Sequence, residues 1–219
     1  MDINRILESD AQEELISLAI FTMSLPQKLA SEVDALCTFT GQGEDQRILQ
    51  PTKAYWENPE TKNRFFLIPG HHKAEHHWRD MTPEVLAAEP FNLKRFEGVV
   101  VTPPLVTTKD QARWIVDKIE ELGITSLGVV SSPFHLLRAY LTVLGQMKTA
   151  GIRIPAIPVP VYEAPHMIVP ESGVEAWDMV QGESERITAY QKKGDVASYD
   201  DLKEYLRWFW EQPLIKNII

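Results

Sequence analysis

Apolar runs that break on glycine, proline or serine recur along the chain: "DALCTFT" from Asp34, "RFFLIPG" from Arg64, "GVVVTP" from Gly98, "SLGVVSS" from Ser126 and "AIPVPVYE" from Ala156. Runs of this length between turn signals predict five strands, and the prolines of the last predict an edge position. The segments between them carry apolar residues at helical spacing. "TTKDQARWIVDKIEELG" has a Thr or Asp cap and Gly123 as its stop, and "PFHLLRAYLTVLGQMKTAG" follows the fourth strand directly. A helix is also expected over 45–57, where Pro51 implies a late start or a kink, and another in "TPEVLAAEP". Residues 3–33 read as two helices, the second starting after Ser24 with Pro26 near its first turn. In the tail, "ESERITAYQKKG" and "YDDLKEYLRWFWEQ" read as helices whose aromatic residues pack on the rest.

Strands alternating with helices predict an α/β fold: a doubly wound, Rossmann-like, mainly parallel five-stranded sheet with extra N- and C-terminal helices. The length of 219 residues suits one domain, with N-terminal helices over 1–33, the α/β core over 34–165 and a helical extension over 166–219. Strand order 3-2-1-4-5 would place the switch in connection direction between strands one and four.

Charge and composition narrow the partners. A formal net charge of -9 repels phosphate backbones, so no nucleic-acid partner is expected. Cys37 is the only cysteine, which precludes an internal disulfide. The acidic N-terminus lacks the features of a signal peptide, and no segment has the apolar length to span a bilayer, so a cytoplasmic location is expected.

In a parallel sheet, ligands bind beyond the C-terminal strand ends. There the chain places Gly41 and Gly43, then Gly70, then Thr107 and Thr108, then Ser131 and Ser132. Small residues and helix N-termini offer backbone N–H donors to an anion. Ser132 can cap the following helix, Pro133 suits its first turn, and His135 and Arg138 share one face. Two readings stay open. Arg138 could clamp a phosphate or carboxylate, with His135 exchanging a proton near neutral pH. Alternatively Arg138 pairs with a carboxylate from a neighbouring helix and His135 is a satisfied, half-buried histidine.

"GQGEDQR" lacks the third glycine of a dinucleotide fingerprint, and no P-loop or nucleophile elbow occurs. In "HHKAEHH", His72 and His76 are four apart with Glu75 beside them. Gly70 before them makes a loop the leading expectation, and a metal site, with His71 and His77 as further ligands, the minor one.

Taken together, these strand-end residues resemble the bacterial domain of unknown function shared by YdcF, SanA and ElyC. The resemblance runs from about Leu36 to Val161 and is nearest the cytoplasmic YdcF-like branch. Gly41, Gly43 and Arg47 look like its first motif, and Gly70 and Glu75 are similar to its second. Thr108, Asp110 and Gln111 stand where the family has Thr-x-Glu-Asn. Ser132, His135, Arg138 and Ala139 match its Ser-x-x-His-x-x-Arg-Ala segment. The tail around "GESERITAYQKKG" is similar to the extension of YdcF-like proteins.

The resemblance implies a polar pocket at the strand ends that takes a nucleotide-like ligand, S-adenosylmethionine among them. The expected protein therefore binds a small anionic or nucleotide-like metabolite, with Arg47 and Arg138 on the negative group, Thr108 and Ser132 as donors, and Asp110 and Gln111 reading a polar part. A transferase or hydrolase acting on a phosphorylated substrate with His135 as acid or base is the first alternative. A metal-assisted hydrolase built on residues 71–77 and a non-catalytic partner-binding protein are the others.

Overall fold

The computed structural model describes residues 25–39, 45–70, 80–169 and 172–216, and at 45–47 the backbone alone. Strands β1 (Ala35–Thr38), β2 (Phe65–Gly70), β3 (Val99–Pro104), β4 (Leu127–Ser131) and β5 (Ala156–Pro160) form one sheet in the order β3-β2-β1-β4-β5. Every pairing is parallel, with Ala35 beside Phe65 on one flank and Leu127 on the other. The fold is thus α/β and Rossmann-like, with the switch in connection direction between β1 and β4.

Seven α-helices lie among the described residues: α1 (Asp45–Trp56), α2 (Pro83–Ala87), α3 (Thr108–Leu122), α4 (Pro133–Ala150), α5 (Met179–Lys192), α6 (Tyr199–Phe209) and α7 (Pro213–Lys216). Their ends follow from local chemistry. Thr107 caps α3 by accepting from the Asp110 N–H at 3.1 Å, and Gly123, with φ 61°, stops it in the left-handed conformation that glycine adopts at least cost. At α6 the caps are reciprocal, Ser198 accepting from the Asp201 N–H and Asp201 from the Ser198 N–H.

Two helices depart from expectation. Residues 1–24 lie outside the described residues, and the helix expected after Ser24 is a five-residue 3-10 turn, Gln27–Ser31. The Asn63 side-chain amide donates to the carbonyls of Ala30 at 3.0 Å and Val33 at 2.6 Å, acceptors that a longer helix would need for itself. Pro51 lies inside α1 and does not delay its start, forgoing one bond within the helix.

One core cluster extends from Leu29 to Ile215, with Phe39, Trp56, Phe66, Tyr140 and Phe209 among its fully buried members. Each contributes about 2–3 kcal/mol by leaving water. The tail is part of this core, since Leu202, Tyr205 and Phe209 of α6 are buried.

β5 is an edge strand, as its prolines predict. Val161 donates inward to the Ser131 carbonyl, and alternation turns Ala156, Pro158 and Pro160 outward. The Tyr205 hydroxyl accepts from the Ala156 N–H at 2.6 Å, and the Tyr140 hydroxyl donates to the Ala156 carbonyl at 3.0 Å.

The two ends of the sheet differ. At the N-terminal end, Asp34 accepts from the Arg64 guanidinium and the Thr125 N–H. Burial raises its pKa, and these partners more than reverse the effect. The C-terminal end opens towards a cavity. No helix among the described residues is long and apolar enough to cross a membrane.

Candidate functional site

The β4-to-α4 junction sets the first wall of the site. Ser131 is buried and donates to the Phe39 carbonyl at 3.2 Å, joining the ends of β4 and β1. Ser132 occupies the N-cap position of α4, but its side chain makes no cap bond; its hydroxyl donates to Glu163 Oε1 at 2.6 Å. Pro133 opens the helix, and His135 and Arg138 stand three positions apart on one face, so both side chains line one cavity.

The cavity has a volume of about 420 Å³. Thr107, Thr108, Lys109 and Gln111 enter from the start of α3, Phe134, His135, Arg138 and Thr142 from α4, and Met179, Glu183, Arg186 and Tyr190 from α5. The site therefore sits on the α3/α4 side of the sheet and not directly in the β1/β4 crevice. His135 connects the two, lining the cavity while its ring lies 6.4 Å from that of Phe39 just beyond β1.

Arg138 follows the structural reading of the sequence. Its guanidinium is 12% exposed and donates to both carboxylate oxygens of Glu183 on α5, while Nη1 donates to Thr108 Oγ1 at 2.8 Å. Arg186 adds a third bond to Glu183, at 2.7 Å. Burial raises the Glu183 pKa, but the Arg138 hydrogen bonds and the surrounding positive charge bring it below the ordinary carboxylate value. Lys109 pairs with Asp195 across the cavity.

His135 departs from the expected neutral-range titration. Burial, then the charges of Arg138 and Arg186, push its pKa down to about 3, with Glu183 opposing. The residue is half-buried, yet Nε2 is shut off from the surface and has no hydrogen-bond partner among the described residues. A neutral imidazole offers one donor and one acceptor.

The other expected ligand contacts divide clearly. Thr108, Gln111, His135 and Arg138 meet in the cavity. Gln111 also donates to the Gly70 carbonyl at 3.1 Å, fixing the end of β2. Asp110 accepts from the Thr107 hydroxyl at 2.8 Å within the α3 cap, and Asp110, Gly70, Ser131 and Ser132 are not among the lining residues. Gly41, Gly43, Glu75 and the histidines at 71, 72, 76 and 77 lie outside the described residues, as does the Arg47 side chain. Among the described residues, no group of three or more His, Cys, Asp or Glu could hold a metal ion.

Sequence reasoning missed Lys109, Glu183, Arg186 and Asp195. The only local signal was Glu183 with Arg186 three residues on, a spacing that also marks ordinary solvated helix faces. Compared with known proteins, the chain matches no family model, no curated protein and no solved structure.

Proposed function

We propose that the chain is a YdcF-like protein that binds a small anionic or nucleotide-like metabolite, S-adenosylmethionine among the candidates, in the cavity between α3, α4 and α5. The observation that carries this reading is the convergence of Thr108, Gln111, His135 and Arg138, from the helices that follow β3 and β4, on the wall of one cavity that Lys109 and Arg186 also line. Helix starts beyond the C-terminal strand ends are where a parallel sheet gathers its ligand-binding groups.

Other features support the same reading. The volume lies within the usual range for small-molecule sites, about 300–1,000 Å³. The first N–H groups of α3 and the outer N–H groups of Arg186, which is 46% exposed, suit an anion. Thr108 Oγ1 accepts from Arg138, which leaves its own proton for a ligand oxygen. Phe134 and Met179 offer an apolar face to a base or thioether. Arg138 then acts as a positioning residue that orients Thr108. A cytoplasmic location and no nucleic-acid partner belong to the same proposal, in keeping with the net charge of -9.

A transferase or hydrolase role for His135 requires the bound anion to raise its proton affinity, since the neutral imidazole is a weak base as it stands. The test is a thermal-shift panel of mononucleotides, sugar phosphates and S-adenosylmethionine, followed by equilibrium dialysis of the protecting compound. Thr108→Val and Arg186→Gln should each weaken its binding by about tenfold, a loss of roughly 1.4 kcal/mol. Undiminished binding in both variants rejects this cavity as the site.

A further inference from the structure

The cations of the cavity are not unopposed. Glu183 accepts from Arg138 through both oxygens and from Arg186 through one, with only 5% of its side chain exposed. A carboxylate held by three charge-assisted bonds in so dry a setting is costly to displace, so it stays when a ligand enters. Among the described lining residues, Lys109, Arg138 and Arg186 then face Glu183 and Asp195, a balance of one net positive charge beside a neutral His135. Without Glu183 the balance would be two.

We infer that Glu183 is the specificity-determining residue of this cavity, cancelling one guanidinium charge so that the site takes a singly charged anionic group, such as a carboxylate, sulfonate or phosphodiester, in preference to a dianion. The inference rests on the reading of the cavity as an anion site. Its basis is electrostatic: one net positive charge attracts a dianion twice as strongly as a monoanion, but the cost of dehydrating an ion rises with the square of its charge, and the fixed Glu183 carboxylate keeps the attraction too small to offset that cost for a dianion. The same carboxylate holds the Arg138 fork, whose remaining arm reaches Thr108.

Methanesulfonate and sulfate share a tetrahedral shape and differ by one charge, and the full chain can be titrated with each at fixed ionic strength and near-neutral pH. The readout is the NMR shift of the carbon-bound ring protons of His135, which reports from the cavity wall. Wild-type protein should hold methanesulfonate at least as well as sulfate. Glu183→Gln should move the affinity ratio towards sulfate by about tenfold, and Arg186→Gln should move it the other way. Glu183→Asp, which keeps the charge, should keep the wild-type ratio even at reduced stability.

A ratio that is the same in Glu183→Gln as in wild type, with both ions shifting the His135 signal, overturns the inference. So does Glu183→Asp behaving like Glu183→Gln, because packing and not charge would then be responsible. If Glu183→Gln does not fold, Arg186→Gln decides alone, since its guanidinium is half exposed. Ions that leave the His135 signal of the wild-type protein untouched overturn the anion-site reading itself, and this inference with it.

Discussion

At His135, burial and neighbouring charge act in the same direction. Both disfavour the imidazolium, and the folded-state pKa falls from 6.5 to about 3. The unfolded chain therefore binds more protons than the folded one between those values, and stability rises with pH across the window. The contribution is complete above 6.5 and is withdrawn as pH falls towards 3. Replacing His135 with Gln should flatten the dependence of the melting temperature on pH between about 6.5 and 4.5, above the ordinary carboxylate range. Equal slopes in variant and wild type would show that the imidazole is not held neutral by folding. Asp34, Glu183 and Asp201, whose pKa values are lowered in the fold, withdraw their own stability only at more acid pH.

At the scale of elements, the site depends on how strands end and helices begin. Gly70 closes β2 where β3 comes very near: a Cβ there would lie 2.8 Å from the carbonyl oxygens of both Thr102 and Pro103. Gly70→Ala should therefore cost about 1–3 kcal/mol in urea unfolding, the range for an added methyl in a packed place. An unchanged midpoint would mean that the β3 backbone yields freely. Gly70 was legible in the sequence as a strand-end glycine, but its role is packing against β3, which no local pattern records. Strand positions and helix stops were legible because they rest on periodicity and on residues such as Gly123 and Gly151, whose positive φ is a local property. The amide of Asn63 on the Ala30 and Val33 carbonyls was not, because it joins segments about thirty residues apart. Ser132 was identified correctly as the residue before α4, yet its hydroxyl partner, Glu163, lies after β5. On the candidate site, the face shared by His135 and Arg138 was readable, whereas the carboxylate opposite them came from a helix forty-five residues away.

At the scale of the molecule, the C-terminal helices complete both the core and the cavity. Tyr205 and Phe209 are buried against the α/β unit, and Glu183 is the partner of Arg138. A chain ending at residue 165 should lose cooperative thermal unfolding and its near-ultraviolet dichroism, since it would expose apolar surface and leave a nearly buried guanidinium without its carboxylate. Cooperative melting of that shortened chain would show that the extension is an accessory layer.

The flank of the sheet at β5 has a consequence for self-association. Of its outward positions, Ala156 has its amide engaged by a tyrosine hydroxyl, while Pro158 and Pro160 have no amide hydrogen to offer. An extended segment from a second molecule would meet rings and an occupied donor, so main-chain zippering cannot propagate from that side.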